Sequence, residues 1–130
     1  SPQPIDKTAS GGEISRVMLC LKYLLAQSSS LPTLIFDEID TGISGEAADL
    51  TAKMLKKMSA NVQIISISHL PQIAAKATTH YFVEKSGESE TTVTQLNAEE
   101  RVTAIARMLS GSTLSDAAIQ NAQALLSEEN

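Results

Sequence analysis

The sequence predicts an α/β fold in which a small, mostly parallel sheet is flanked by helices. Two short apolar runs, at residues 34–36 and 62–67, have the length and composition of strands. Apolar residues recur at helical spacing in the segment between them. A strand, a helix and a second strand within about 35 residues form a βαβ unit, whose strands pair in parallel through a right-handed crossover.

The N-terminal part of the chain is expected to hold an arm, a helix and the first strand. Residues 1–9 contain Pro2 and Pro4 and predict an arm or loop. A helix follows, because apolar residues recur at helical spacing at Ile14, Val17, Met18, Leu21, Leu24 and Leu25. Three consecutive serines and Pro32 end this helix. The apolar run at residues 34–36 stops abruptly at Asp37 and Glu38, which is typical of a buried strand.

The middle of the chain completes the βαβ unit. Ser44 and Gly45 begin the second helix, whose inner face is predicted to be Ala47, Leu50, Met54, Leu55 and Met58. The β-branched run at residues 62–67 predicts a second buried strand, and a short helix is expected at residues 70–76. Polar residues around Gly87 separate the runs at residues 81–84 and 91–94, which predicts a hairpin.

Two helices complete the predicted fold. The first is expected to turn Val102, Ile105, Ala106 and Leu109 inward. The second starts near Thr113 and runs through Ala117, Ala118 and Leu125. Residues 10–127 are therefore predicted to form one folded part, with residues 128–130 as a tail. Because residues suited to chemistry occur within ten positions of Ser1, we expect the chain to be a fragment of a longer protein.

Composition and charge exclude several classes of function. The 130 residues carry a net charge of −5 without a run of like charges, and Lys53, Lys56 and Lys57 are typical of the solvated face of a helix. Strong DNA binding by this chain alone is not expected, because such binding depends on neutralising phosphates with Lys and Arg. Cys20 is the only cysteine, so no disulfide framework can form, and a cytoplasmic setting is predicted. A membrane span is not expected either, since no apolar run reaches about 18 residues.

Two acidic residues and a histidine follow the two predicted parallel strands. Asp37 and Glu38 stand at the carboxyl end of the first strand, and His69 follows the second. Ligands bind at this edge of open parallel sheets. Phosphoryl transfer needs a carboxylate for Mg²⁺ and a group that orients or deprotonates the attacking water. We expect Asp37 to serve the metal, Glu38 the water and His69 the terminal phosphate. The alternatives are solvated acids and, for His69, a strand-end histidine that caps backbone groups. His80 has no comparable neighbours at a strand end, and we expect it to be structural.

The segment Ser10-Gly11-Gly12-Glu13 precedes the first helix and allows two interpretations. Ser-x-x-Glu is the capping-box pattern, which helix initiation alone explains. Two consecutive glycines are harder to explain in this way, because glycine costs about 1 kcal/mol relative to alanine inside a helix. Bare amide groups at a helix N-terminus bind anions, so the glycines could admit a phosphate. Both interpretations stand together: Ser10 and Glu13 cap, and Gly11 and Gly12 admit phosphate.

The lysine loop that normally grips a nucleotide is missing from the sequence. No stretch fits Gly-x-x-x-x-Gly-Lys-Ser/Thr, the loop that cradles the β- and γ-phosphates. We therefore expect nucleotide binding by this chain alone to be weak or undetectable.

Taken together, these segments resemble the ABC-type ATPase superfamily. Residues 9–13 are similar to its signature motif, residues 34–38 to its Walker B strand, and Ser68-His69 to its switch histidine, in the same order and spacing. The longer strings at residues 10–18, 36–45 and 68–74 are similar to a narrower family. That family comprises bacterial DNA-repair relatives of the structural-maintenance-of-chromosomes (SMC) ATPases. The likeness extends from about residue 8 to residue 126.

The resemblance implies that the chain is the C-terminal lobe of an ABC/SMC-type P-loop ATPase head whose P-loop half is missing. In that superfamily two heads enclose two ATP molecules with Mg²⁺. The signature segment, residues 10–13, then contacts the ATP phosphate held by the other head, while Asp37, Glu38 and His69 act on the nucleotide of their own head. The implied partners are an N-terminal Walker A half of the same protein, a second head in an ATP-sandwiched homodimer, and DNA through the full-length protein.

The implied function is ATP binding and hydrolysis, with a separate Walker A half, in the recombinational repair of DNA double-strand breaks. The fragment alone is expected to be inactive, and the full-length protein to be cytoplasmic and nucleoid-associated. The alternatives are a non-catalytic dimerisation or interaction fragment and half of a transporter-type ABC ATPase. Transporter ATPases usually carry an aspartate six residues after the Walker B glutamate. Ser44 occupies that position, which favours the narrower family.

Overall fold

The computed structural model describes residues 11–38 and 42–128. The elements along the chain are α1 (Gly11–Ser28), β1 (Thr33–Asp37), α2 (Gly45–Met58), β2 (Gln63–Ile67), α3 (Pro71–Lys76), β3 (Tyr81–Ser86), β4 (Glu90–Gln95), α4 (Ala98–Ser110) and α5 (Asp116–Ser127). They form two compact units that divide between Ile73 and Ala74. The predicted arm at residues 1–9, Ser10 and the last two residues of the predicted tail lie outside the described residues.

The first unit is built on the predicted βαβ arrangement. β1 and β2 pair in parallel, with Thr33 opposite Gln63 and Asp37 opposite Ile67. Alternate side chains point to opposite faces of a strand, so Leu34, Phe36 and Ile64 share one face of the pair. All three pack in or against the hydrophobic core, and Phe36 is fully buried. The predicted α/β fold is confirmed.

The other face of the β1–β2 pair is open, which corrects the prediction of two buried strands. The exposed side chains on this face are Ile35 (62%), Ile65 (45%) and Ile67 (50%). Helices of this unit cover one face only, and within the described residues β1 pairs with β2 alone. The apolar runs that predicted burial therefore supply both a core face and an uncovered face.

The helix α1 packs on the sheet through a face other than its most obvious apolar one. Leu19 and Ala26 are 1% exposed, and Tyr23 packs against the same core. Most residues of the stripe that predicted this helix, from Val17 to Leu25, face solvent instead. Small and medium side chains suit the covered face, because Ala26 brings the helix backbone close to its neighbours. None of the described helices combines the length and apolarity that crossing a bilayer requires.

The inner face of α2 differs from its prediction by part of a helical turn. Leu55 and Met58 are buried as expected, but Leu50 is 44% exposed and Ala47 and Met54 are only half-buried. Ala48, Thr51 and Ala52 take the buried positions instead. Their small side chains let the helix lie close to the sheet. The Thr51 hydroxyl donates to the Ala47 carbonyl oxygen at 2.8 Å, which satisfies this buried polar group within the helix itself.

The second unit contains the predicted hairpin and the two final helices. β3 and β4 pair antiparallel around Gly87, whose φ of 70° suits a turn. A capping box between Asn97 and Glu100 starts α4. Ile105 and Ala106 of α4 pack against Ala118 and Ala122 of α5. The last helix runs through Ala117, Ala118 and Leu125 as predicted. Two details of the prediction were wrong: α5 begins at Asp116 after the Ser115 cap rather than near Thr113, and Leu109 is 39% exposed.

Candidate active site at the paired strand ends

The two acidic residues and the histidine follow strands that lie side by side. Asp37 is opposite Ile67 in the parallel register, and the Glu38 amide donates to the Ile67 carbonyl oxygen at 2.9 Å. His69 comes two residues after Ile67. Because parallel strands end at the same edge of a sheet, the backbone brings Asp37, Glu38 and His69 to one edge, as predicted.

Glu38 has an unusual backbone conformation for a residue with a side chain. Its φ is 51°, in the left-handed region that favours glycine. A non-glycine residue in this region costs about 1 kcal/mol or more. The strand before it is fixed by the fully buried Phe36, and the hydrogen bond to Ile67 holds the Glu38 amide in place. Such a conformation persists only where surrounding structure enforces it, and it is frequent at functional sites.

All three candidate side chains are accessible. Asp37, Glu38 and His69 are each exposed, so a solute can reach this edge of the sheet. The backbone of the segment that carries His69 is held on both sides. The Ser68 hydroxyl accepts from the Leu70 amide at 3.0 Å, and the Ile73 amide donates to the Leu70 carbonyl oxygen at 3.2 Å. These bonds form the turn from β2 into α3.

The carboxylates fit a magnesium ion that is shared with a nucleotide. Within residues 11–38 and 42–128, no group of three or more His, Cys, Asp or Glu side chains could hold a metal. Mg²⁺ does not require such a group, because it ordinarily takes one or two carboxylates and completes its shell with phosphate oxygens and water. The exposed Asp37 at the sheet edge fits that requirement. A dedicated protein cage is not needed for the predicted role.

The predicted phosphate segment lies only partly within the described residues. Ser10 falls outside them, whereas Gly11 and Gly12 form the start of α1 and Glu13 is exposed in its first turn. Ser44 is the N-cap of α2 but makes no side-chain capping hydrogen bond. The proposed contacts of residues 10–13 with a nucleotide on another head therefore stay a prediction.

A buried polar pair that sequence inspection missed lies in the second unit. Nη2 of Arg101 donates to the carbonyl oxygens of Ala74 and Ala77, both at 2.9 Å, at the end of α3. Nδ1 of His80 and Nε of Arg101 are buried without a hydrogen-bond partner in the part of the chain described. Burial lowers the pKa of His80, and the positive charge of Arg101 lowers it further. The sequence gives no warning of this pair, because Arg101 occurs among polar residues that suggest a solvated helix start.

The sequence of this chain is similar to part of the bacterial DNA repair protein RecN. It is 44% identical over 128 residues to the DNA repair protein RecN of Haemophilus influenzae, a match covering 96% of this chain and 23% of the relative. It is also 47% identical over 129 residues to RecN of Rickettsia bellii, which covers 97% and 24% of the two chains. The chain is homologous to the C-terminal part of RecN. It spans about a quarter of the length of these curated RecN relatives. No protein-family model matches the chain.

Solved structures support the fold. The SMC head domain of Pyrococcus yayanosii, determined with a coiled coil and joint, superposes with a TM-score of 0.66 at 23% identity, covering 82% of this chain and 20% of that one. The SMC head domain of Thermotoga maritima gives a TM-score of 0.62 at 24% identity, covering 71% and 35%. At this level of identity the likeness shows the fold alone. The fold of this chain is therefore similar to part of an SMC head, and its sequence is similar to RecN.

Proposed function

We propose that this chain is the C-terminal part of an SMC-like ATPase head that binds and hydrolyses ATP once a separate Walker A half joins it. The whole protein would act in the recombinational repair of DNA double-strand breaks. The observation that carries the proposal is the parallel pairing that sets Glu38 beside Ile67, two residues before His69. Homology to proteins named for DNA repair supports the cellular role and favours it over a transporter ATPase.

Each residue at the sheet edge has a distinct proposed role. The Glu38 carboxylate orients the attacking water and accepts its proton. The His69 imidazole donates a hydrogen bond to the terminal phosphate. Asp37 would hold Mg²⁺. The metal neutralises phosphate charge when it is bound. Residues 10–13 reach the nucleotide of a second head, so the working assembly is a homodimer of complete heads.

The open surfaces of the first unit support the need for a second half. A parallel sheet is normally covered on both faces, and this pair leaves Ile35, Ile65 and Ile67 exposed on one of them. Within residues 11–38 and 42–128 this parallel sheet has two strands only, β1 and β2. We therefore propose that the isolated chain does not hydrolyse ATP. In this proposal the isolated chain is an interaction module without catalytic activity. The head that it forms with the Walker A half is catalytic.

A reconstitution experiment tests the proposed function. The chain is mixed with the Walker A half of the same protein, and ATP binding and phosphate release are compared with those of each half alone. Hydrolysis is expected only in the mixture. Glu38→Gln should keep ATP binding and reduce turnover about a hundredfold or more, the usual scale for removing a general base. Glu46→Gln, at an exposed glutamate in the first turn of α2, is the matched control. Turnover by Glu38→Gln at the rate of the control would refute the role of Glu38.

A further inference from the structure

The short helix α3 contains residues of both compact units. It comprises the six residues Pro71–Lys76, and the units divide between Ile73 and Ala74. Ile73 is buried in the hydrophobic core of the first unit, whereas Ala74 and Ala75 pack against the core of the second. A helix of this length is not stable in isolation, because most helical stability in proteins comes from tertiary packing. The position of α3 therefore depends on the contacts that each unit makes with its own part of the helix.

The candidate histidine lies just before α3. His69 is two residues before Pro71, the first residue of the helix, and its side chain is exposed. The Leu70 amide donates to the Ser68 hydroxyl, and the Ile73 amide donates to the Leu70 carbonyl oxygen. Because these bonds join the turn to the helix, a shift of α3 moves the backbone that carries His69. The direction of the imidazole consequently depends on where α3 is held.

Arg101 holds the other end of α3. Its Nη2 donates to the carbonyl oxygens of Ala74 and Ala77, both at 2.9 Å, from a position 27 and 24 residues further along the chain. The last carbonyl groups of a helix have no partner within it, and a positive group near them also interacts favourably with the helix dipole. Hydrogen bonds from a charged donor are stronger than those between neutral groups. We call this pair of bonds the α3 clamp.

A second connection from the end of α3 is weaker. Nζ of Lys76 lies 3.7 Å from Oε2 of Glu128, whose side chain is 54% exposed. An ion pair with an exposed partner contributes about 1 kcal/mol or less. The α3 clamp is therefore the stronger of these two connections, since it consists of two shorter bonds from one charged group.

We propose that Arg101 is a positioning residue for ATP hydrolysis, which acts through the α3 clamp on the orientation of His69. Its guanidinium fixes one end of the helix, and the histidine precedes the other end. A catalytic group must be held closely, because a misplacement of about 1 Å can slow a reaction about a hundredfold. The inference rests on the proposed function, since it requires His69 to act on the terminal phosphate.

A double-mutant cycle separates this role from general stabilisation of the fold. Single-turnover ATP hydrolysis by the reconstituted head is measured at saturating ATP for Arg101→Ala, His69→Gln and the double variant. Arg101→Ala should be about tenfold slower than wild type, with ATP binding unchanged. In the His69→Gln background the same substitution should change the rate by no more than about twofold, because the residue that it positions is absent. Arg101→Lys keeps a charged donor and should recover part of the rate.

Two control variants account for lost stability and for the weaker connection. Asn97→Ala removes the cap of α4, the helix that carries Arg101, and should destabilise the same unit by about 1 kcal/mol without removing a contact of α3. Glu128→Gln removes the ion pair with Lys76 but keeps the α3 clamp. Both variants should hydrolyse ATP within about twofold of the wild-type rate. Circular dichroism confirms that each variant is folded.

The outcomes separate this inference from the proposed ATPase. Hydrolysis by Arg101→Ala at the wild-type rate, losses that multiply fully in the double variant, or equal slowing by Asn97→Ala would each overturn the positioning role. None of these results changes the Glu38→Gln test, which reports on the general base. A wild-type rate for His69→Gln would instead refute the proposed role of His69, and the positioning role of Arg101 with it.

Discussion

The backbone amide of Glu38 donates a hydrogen bond to the carbonyl oxygen of Ile67 at 2.9 Å and so continues the β1–β2 pairing one residue beyond the end of β1. This bond connects the two segments that carry the candidate chemistry. Glu38 itself has a φ of 51°, which a residue with a side chain rarely adopts. The acidic side chain is therefore placed by a strained backbone at the sheet edge.

The positive φ of Glu38 predicts that a glycine variant is more stable than an alanine variant at this position. This is the reverse of the order inside a helix. Glu38→Gly should be more stable than Glu38→Ala by about 1 kcal/mol, because only glycine adopts positive φ without a steric cost. Urea unfolding followed by circular dichroism measures the difference. At Lys53, an exposed position in the interior of α2, the order should reverse, with the glycine variant less stable by about 1 kcal/mol. Equal stability of the two Glu38 variants would show that the backbone there is not strained.

The arrangement of strands could be predicted from sequence better than the packing of helices. Apolar runs ending in Asp37 and before His69 specify two parallel strands and the edge where they end. The face of α1 that meets the sheet could not be predicted, because Leu19 and Ala26 on one side compete with the apolar residues between Val17 and Leu25 on the other. The φ of Glu38 could not be predicted either, because a glutamate has no local preference for the left-handed region. The roles of Asp37, Glu38 and His69 were expected from their chemistry and their place at the strand ends. The contact of residues 10–13 with a second head was implied by motif resemblance. All of these roles remain predictions.

The Arg101 side chain is predicted to stabilise the second unit through the end of α3. Its Nη2 donates to the carbonyl oxygens of Ala74 and Ala77, and burial lowers its pKa. Arg101→Ala should lower the free energy of unfolding by about 1–3 kcal/mol, because the half-buried carbonyl group of Ala74 and the exposed one of Ala77 lose a charged donor. Arg107→Ala, at an exposed arginine of the same helix, should cost no more than about 0.5 kcal/mol. Similar losses in urea unfolding for both variants would contradict the assigned role.

His80 predicts a loss of stability on acidification. Burial and Arg101 lower its pKa in the folded chain below the value of the unfolded chain, about 6.5. As the pH falls below that value, the unfolded chain binds a proton before the folded chain does, so the free energy of unfolding decreases. The decrease continues until the pH passes the folded pKa. His80→Gln should flatten this part of the urea-unfolding profile between pH 7.5 and 5.5. Identical profiles for wild type and His80→Gln would refute the effect.

Helix capping gives a further pair of matched variants. The Asn97 side chain accepts from the Glu100 amide at 2.8 Å, whereas the Ser44 side chain makes no capping bond. Asn97→Ala should therefore cost about 1 kcal/mol of unfolding free energy, and Ser44→Ala should be close to neutral. A thermal unfolding series on both variants checks the difference. A large loss for Ser44→Ala would indicate a contact of Ser44 other than capping.

Single-turnover ATP hydrolysis by the reconstituted head tests most directly whether Glu38 and His69 act at a common point. The rates of Glu38→Gln, His69→Gln and the double variant are compared with wild type after ATP binding is shown to be intact. Residues that act as one unit on a shared phosphate and water have strongly non-additive effects. The double variant is therefore predicted to be no more than about threefold slower than the slower single variant. Losses that multiply fully, or no loss in either single variant, would contradict a shared site at the paired strand ends.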